Sequence, residues 1–327
     1  MKPAICLVSL AALAAGSLLG QQVISAKAGL IHYVEGKVLL DGKAVEPKFA
    51  EYPQMKENSV LSSTEGRAEL LMTPGVFLWL GEQSEMSLLS NRLSDTRLKL
   101  TKGSVLLEAA ELPDGNAVTV MAGNAVVTLD KPGVYRLDAE PVRLMVYDGE
   151  AAVDEGGQVQ RVKRSRLLML DGTAVAEKFD KETGDALFRW AKRRGEYFAM
   201  ANLSAAHSQS LRGSGFANSN WLWNPYFGMF TYVPYEGVYN SFWGHRYWSP
   251  QSVYMVYNPP RVSVPVGGGG RGWGDMNSGP RAVSQAPSGV SGVVSAAASA
   301  GAASPSPAPA ASSSPRPGGG AAGGRSR

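Results

Sequence analysis

The sequence predicts a mainly β protein in which a β-module is followed by one amphipathic helix, an aromatic-rich segment and a disordered tail. Three observations predict this organisation. In residues 97–153, short apolar runs of strand length alternate with turns that nearly all contain glycine. After residue 180 the apolar residues recur at helical spacing. From residue 262 onward, Gly, Pro, Ala and Ser dominate the chain.

The β-module is predicted over residues 28–175, with its core at 59–172. Its strands are rich in β-branched and aromatic side chains, which suit a pleated and half-buried surface. In the run 76–80, Phe77 and Trp79 alternate with two leucines, and Trp79 is expected in the core. The glycine turns include Lys102-Gly103, Asp114-Gly115, Pro132-Gly133 and Asp148-Gly149.

Residues 1–20 have the layout of a secretory signal peptide: one lysine, an apolar stretch and then small residues. Cleavage is expected after Gly20, which places the protein in the periplasm or cell envelope; the alternative is an uncleaved N-terminal membrane anchor. The only cysteine, Cys6, lies in this stretch. The mature chain would therefore have no disulfide, no thiolate metal site and no cysteine nucleophile.

The charge distribution argues against a nucleic-acid partner. The net charge is +4, and the tail from Arg261 onward holds six arginines against one aspartate, so the folded part is close to neutral. The run Arg161–Arg166 is basic and has two interpretations. It is either a site for phosphate or lipid headgroups, or a charged edge strand that discourages aggregation, and the second is favoured.

The sequence shows no pattern of catalytic or metal-binding residues. His32 and His245 have no ligand-spaced partner, and no glycine-rich phosphate loop is present. Six scattered glutamates are interpreted as solvated residues of strand faces and turns. We therefore expect no catalytic residue, cofactor or metal. These glutamates are Glu65, Glu69, Glu82, Glu85, Glu108 and Glu111.

Residues 180–208 are predicted to form the amphipathic helix, with apolar residues on one side and Arg189, Lys192 and Arg193 on the other. A basic helix with aromatic residues suits a membrane surface. The favoured interpretation is a helix that packs on the β-module.

Residues 216–258 form the aromatic-rich segment, in which Glu236 and Arg246 are the only acidic or basic residues apart from His245. Exposed as a unit, the segment would form an apolar patch of a size that soluble monomers rarely tolerate. Burial against the β-module and a contact surface for a partner are about equally supported. The candidate contact residues are Trp221, Trp223, Tyr226, Tyr232, Tyr235, Trp243, Tyr247 and Trp248. Residues 262–327 are predicted to be disordered and to act as a weakly basic tether.

The β-module resembles the FecR domain over residues 59–172. The resemblance rests on an ordered series of runs: VFLWLGEQSEMSLL, LKLTKGSVLLEAA, NAVTVMAGNAVVTLDKPGVYRLD and VRLMVYDGEAAV. It implies an extracytoplasmic β-domain of solenoid-like or sandwich-like form, and some members of that family regulate an extracytoplasmic sigma factor. The sequence has Pro132-Gly133-Val134-Tyr135 where the family often has Gly-Thr-x-Phe, and no functional residue of the family is carried over.

Two functional hypotheses follow from these observations. The first is a non-enzymatic exported envelope protein whose β scaffold presents an aromatic and basic contact surface. Its partner is unknown, with peptidoglycan, the membrane surface and an envelope protein as the candidates. The alternative is a FecR-type extracytoplasmic sensor that acts on a transmembrane partner.

Overall fold

The computed structural model describes residues 27–46, 51–172, 175–182, 184–212 and 219–258. The predicted signal peptide (1–20) and tail (262–327) lie outside the described residues. Within them the chain is mainly β, with a large sheet followed by a long helix, which confirms the predicted fold class.

The elements follow one another in a simple order: fifteen strands, a long helix, four short strands and a short helix. The sheet strands are β1 (Leu30–Leu40), β2 (Lys43–Ala44), β3 (Val60–Leu71), β4 (Val76–Leu80), β5 (Glu85–Arg92), β6 (Asp95–Lys102), β7 (Ser104–Ala109), β8 (Ala117–Ala122), β9 (Ala125–Leu129), β10 (Gly133–Ala139), β11 (Val142–Asp148), β12 (Glu150–Glu155), β13 (Gln158–Lys163), β14 (Arg166–Met169) and β15 (Glu177–Lys178). After them come α1 (Ala186–Arg212), β16 (Asn220–Asn224), β17 (Met229–Val233), β18 (Val238–Asn240), β19 (Arg246–Trp248) and α2 (Pro250–Tyr257).

The first fifteen strands form one sheet in the order β13-β12-β9-β8-β6-β5-β3-β4-β7-β10-β11-β14-β15, with β1 beside β3 and β2 beside β1. Every pair is antiparallel except β6 and β8. Strand β10 also faces β6 and β8, which are distant from it in the sheet order, so the sheet bends over on itself into two layers. The basic strand β13 lies at one end of the sheet, which confirms the predicted charged edge strand.

The glycine turns lie where the sequence predicts them, and Gly149 shows why such a turn needs glycine. This residue joins β11 to β12 with φ of +92°, a conformation that side chains disfavour. A Cβ atom there would also lie 2.1 Å from the hydroxyl of Tyr135, a distance that no real contact allows. The turn therefore needs glycine for both its backbone shape and its packing.

Strand β4 is buried on both faces, and its alternating side chains belong to two different cores. Val76, Leu78 and Leu80 point into the space between the sheet layers, where they join the inner core. Phe77 and Trp79 point to the outer face and join a second core. Since strand side chains alternate between faces, one apolar run supplies both cores.

The second core is closed by α1 and by residues 219–258, which we call the aromatic cap. The ring of Phe77 lies 4.6 Å from that of Phe198 on α1 and 5.1 Å from that of Trp221 in the cap. Tyr247 stacks on the same ring at 5.6 Å. Much of the aromatic-rich segment is thus buried against the chain's own β-module.

The cap contains two hairpins, β16–β17 and β18–β19, and the helix α2. Ser249 caps α2, since its hydroxyl accepts a hydrogen bond from the amide of Ser252 at 3.2 Å, and Pro250 follows at the first turn. The sequence did not predict these elements because the segment shows no helical or alternating period. These elements are stabilised by packing on the sheet rather than by a local sequence pattern.

Helix α1 begins after Asp185, whose carboxylate accepts a hydrogen bond from the amide of Phe188 at 2.9 Å. It starts six residues later than the predicted start at 180 and ends at Arg212 rather than at 208. Leu187, Trp190 and Phe198 are buried against the outer face, which confirms that the helix packs on the β-module. No helix among the described residues is long and apolar enough to span a membrane.

The variant Phe77→Ala tests the second core. Phe77 is fully buried and contacts rings from both α1 and the cap, so its truncation should lower the free energy of unfolding by about 3–5 kcal/mol. Urea unfolding followed by circular dichroism measures this loss. Phe227→Ala is the control, because Phe227 is 40% exposed and should cost less than about 1 kcal/mol. Equal losses in the two variants would contradict the proposed role of Phe77.

Candidate functional site

A buried polar cluster centred on Glu69 lies in the second core. The carboxylate accepts hydrogen bonds from Trp79 Nε1 at 3.0 Å and from Arg194 Nε and Nη2 at 2.8 Å each. His32 Nδ1 lies 2.8 Å from Oε1 of the same carboxylate. Glu69 is fully buried, so these four contacts replace the water that an ionised carboxylate needs.

A β-bulge places His32 in this cluster. Ile31 pairs with Leu70 and Tyr33 pairs with Glu69, so His32 is the extra residue on β1. Ile31 and Val34 both belong to the inner core. The two residues between them contact groups of the outer face, His32 at Glu69 and Tyr33 at Arg194.

His32 has no free nitrogen for chemistry. Its Nε2 accepts a hydrogen bond from the backbone amide of Phe230 at 3.0 Å, so the proton of the neutral ring is on Nδ1 and is donated to Glu69. Burial lowers the pKa of His32 and outweighs the opposing effect of Glu69. The ring therefore ties the cap to the sheet rather than serving as a base or ligand.

Glu69 stays ionised in this setting. Burial acts to raise its pKa, but the charge and hydrogen bonds of Arg194, together with the hydrogen bond from His32, outweigh burial and bring the pKa to about 2. Arg194 is held as a cation by the same contact, since its own pKa is raised by Glu69 against the effect of burial. The pair is a buried, fully hydrogen-bonded ion pair.

A cleft of about 670 Å³ opens beside the cluster, and we call it the aromatic cleft. Its walls carry aromatic side chains from four separate parts of the chain: β1, the loop before β3, α1 and the cap. Tyr226 is 85% exposed, and Tyr33, Tyr197 and Phe227 are each at least 40% exposed. The aromatic and basic residues that line it are His32, Tyr33, Tyr52, Arg194, Tyr197, Tyr226 and Phe227.

Arg194 joins the buried cluster to the cleft. Its guanidinium lies 4.1 Å from the ring centroid of Tyr33 and 5.6 Å from that of Tyr197. Because Glu69 neutralises the guanidinium from below, the two exposed tyrosines are fixed without a net positive charge at the cleft floor. Tyr52 is held at the cleft wall by donating a hydrogen bond to the carbonyl of Gly228 at 3.0 Å.

The predicted contact residues are split by their burial. Trp221, Tyr232 and Tyr247 are buried in the second core, so the prediction that they form a contact surface is wrong for this conformation. They are needed there because the outer face of the sheet is itself apolar. Trp223, Trp243 and Trp248 are partly buried, and Tyr226 and Tyr235 are exposed.

Tyr226 lies in the aromatic cleft, whereas Tyr235 lies in a second groove of about 1070 Å³ between the cap and the end of α1. Tyr232 reaches the edge of this groove, where its hydroxyl donates to Glu111 Oε2 at 2.7 Å. The structure therefore does not bring the eight predicted residues together on one surface.

The interpretation of all six glutamates as solvated is wrong for Glu69 and Glu108, which are both fully buried. The spacing of residues near His32 does not reveal its partner, because Glu69 is 37 residues away along the chain. His245 does not stand alone either, since its Nε2 lies 3.1 Å from the carbonyl of Lys192. Among the described residues, no group of three or more His, Cys, Asp or Glu side chains could hold a metal ion.

Sequence reasoning missed five aromatic or basic residues of the cleft: Tyr33, Tyr52, Arg194, Tyr197 and Phe227. In a regular strand, alternation would turn either His32 or Tyr33 toward the inner core. The bulge places both on the outer side of β1, where Tyr33 is exposed. Arg194 and Tyr197 are three apart on α1, a spacing that places them on one helix face. That spacing was the available signal.

Comparisons with known proteins add little beyond the fold class. No family model and no curated protein matches the chain. Two crystal structures of a proposed anti-sigma factor from Parabacteroides distasonis ATCC 8503, at 1.65 and 2.50 Å, match with TM-scores of 0.33 and 14% identity. The matches cover 38% and 46% of this chain, and the first spans 61% and the second 71% of the other chain. Similarity at this level assigns neither a family nor a function, so the FecR resemblance stays a prediction.

Because the pKa of Glu69 is low, the free energy of unfolding should decrease in acid. A carboxylate whose folded pKa is lowered from 4.5 to about 2 stabilises the fold above pH 4.5 and loses that contribution as the pH falls toward 2. The loss should be about 3 kcal/mol. Urea unfolding at several pH values measures it.

Glu69→Gln is the comparison for that measurement. The variant leaves Arg194 buried without its partner, so at pH 7 it should be less stable than the wild type by about 3–5 kcal/mol. The difference between the two proteins should then shrink between pH 4.5 and 2. A difference that stays constant across this window would contradict the assignment.

Proposed function

We propose that the protein is a non-enzymatic, exported cell-envelope protein that binds wall glycan in the aromatic cleft. The observation that carries the proposal is the convergence of Tyr33, Tyr197, Tyr226 and Phe227 on one cleft. These exposed rings come from β1, α1 and the cap. Soluble proteins seldom group exposed aromatic residues in this way without a ligand or partner.

The chemistry of the cleft suits a sugar better than an anionic lipid surface. Sugar rings have apolar C–H faces that pack on tyrosine rings, and their hydroxyls bond to charged and polar groups at the edge. Glu46 and Glu51 lie along the cleft, and Arg194 is neutralised by Glu69. An anionic membrane would instead favour a cleft with unpaired positive charge.

The polar groups next to the cleft support binding rather than catalysis. Both nitrogens of His32 and both oxygens of Glu69 are engaged in hydrogen bonds. A general acid or base needs an available proton site within reach of the substrate. Export is supported by residues 1–20, whose composition is that of a signal peptide.

A second candidate function is extracytoplasmic signalling, with the protein acting on a transmembrane partner. The observation that favours it is the ordered resemblance of residues 59–172 to the FecR domain. Deletion of the gene should then change transcription of a specific set of envelope or uptake genes. An unchanged transcriptome would count against this function and leave the glycan proposal in place.

Sedimentation with purified peptidoglycan tests the binding proposal. The wild type should be retained, and Tyr226→Ala and Tyr197→Ala should each weaken retention about tenfold, because exposed aromatic contacts are lost without loss of core packing. Tyr257→Ala is the matched control, since Tyr257 is 50% exposed but lies on α2 outside the cleft.

Vesicles with anionic lipids, tested in parallel, separate glycan from membrane binding. Retention on vesicles alone would overturn the choice of ligand. Equal retention of the cleft variants and the wild type on peptidoglycan would overturn the choice of site.

A further inference from the structure

Glu108 is a buried acid that the proposed function does not use. It lies on the outer face of β7, where its cross-strand neighbours are Phe77 on β4 and Val134 on β10. The side chain is completely buried in this layer. A carboxyl group here has apolar neighbours on both sides within the sheet.

The β18–β19 hairpin of the cap covers Glu108 from above. Tyr239 and Tyr247 stack on each other at 5.9 Å, and Tyr247 also stacks on Phe77. The hydroxyls of Ser241 and Tyr239 are close to the carboxyl group. Neither makes a hydrogen bond of good geometry, and both carboxyl oxygens, together with the hydroxyl of Tyr247, are left without a partner.

No cation among the described residues neutralises Glu108. The nearest basic residue on the neighbouring strand is Arg136, whose guanidinium donates to Asp138 at 2.8 Å and to Asp185 at 2.6 Å. The other cation of this layer, Arg194, is paired with Glu69, and the remaining titratable groups near Glu108 add no positive charge. They are the phenols of Tyr147, Tyr232, Tyr239 and Tyr247 and the carboxylates of Glu69 and Asp148.

Burial raises the pKa of Glu108 from 4.5 to about 7, against a smaller opposite effect of the Ser241 and Tyr239 hydroxyls. The group is therefore neutral in mildly acidic solution and begins to ionise near neutral pH. An ionised carboxylate in this position would be a buried charge with no counterion and no hydrogen bond of good geometry.

We propose that Glu108 is a pH-sensitive latch for the β18–β19 hairpin. When Glu108 is neutral, the hairpin packs on the sheet; when it ionises, the hairpin separates from the sheet and water reaches the carboxylate. Gly237, Val238 and Tyr239 form one wall of the second groove, so the latch also controls the shape of that groove.

The direction of the pH effect follows from proton linkage. The closed form binds the proton more tightly than the open form, because the closed pKa lies above the ordinary value. Opening therefore releases a proton and is favoured as the pH rises. Between pH 5 and 8 the equilibrium constant for opening should increase about 10- to 100-fold.

Hydrogen–deuterium exchange of the full-length protein measures this equilibrium constant. After correction for intrinsic exchange rates, peptides covering residues 236–249 should lose protection by the stated factor between pH 5 and 8. Peptides from β8 and β9 (Ala117–Leu129), at a distance in the sheet order, should not change. Constant protection of the hairpin across this range would overturn the proposal.

Substitution separates the latch from general effects of pH. Glu108→Gln keeps the shape of the side chain but does not titrate, so its hairpin protection should not fall as the pH rises. Burial lowers the pKa of His245 in the hairpin loop, so loss of its proton favours the closed form and acts in the opposite direction. Should Glu108→Gln not fold, Glu108→Met, which is similar in size and apolar, takes its place. Glu85→Gln, at a partly exposed position on β5, should keep the wild-type response. A wild-type response in the Glu108 variants would overturn the proposal.

Discussion

The carboxylate of Glu69 is the constraint on which the rest of the structure depends. It belongs to β3, and it bonds to β1 through His32, to β4 through Trp79 and to α1 through Arg194. Through His32 the same cluster reaches the backbone of Phe230 in the cap. A buried ionised carboxylate needs all of these donors, so only one docking of α1 on the sheet satisfies it.

This constraint explains how one segment contains both buried and exposed aromatic residues. The outer face of the sheet is apolar, and covering it requires Trp221, Tyr232 and Tyr247. The hairpin loop between β16 and β17 extends past the covered face, which leaves Tyr226 and Phe227 exposed beside Arg194. The aromatic cleft therefore lies at the edge of the second core and is not a separate surface patch.

Local sequence patterns are sufficient to predict the positions of strands and turns. Strand and turn positions follow from alternation and from glycines such as Gly149, whose backbone no other residue adopts without strain. Alternation also separated Phe77 and Trp79 from their leucine neighbours. It indicates which residues share a face, but it does not show whether that face is covered.

The candidate site depends on contacts that local patterns do not contain. Glu69 and Arg194 are 125 residues apart, and neither carries a signal of the other. The burial of Glu108 is not predictable from its own strand for the same reason, since it depends on a hairpin formed by β18 and β19. The sequence of the aromatic-rich segment supports burial and a contact surface equally, because the structure of this segment depends on packing against the sheet.

At pH 5, where Glu108 is neutral, the sheet, α1 and the cap are expected to unfold as one cooperative unit. Urea unfolding followed by two probes tests it most directly: tryptophan fluorescence, which is dominated by the second core and cap, and far-ultraviolet circular dichroism, which reports the strands and helix. The two transitions should coincide. A fluorescence change that is complete at a lower urea concentration than the loss of secondary structure would contradict it.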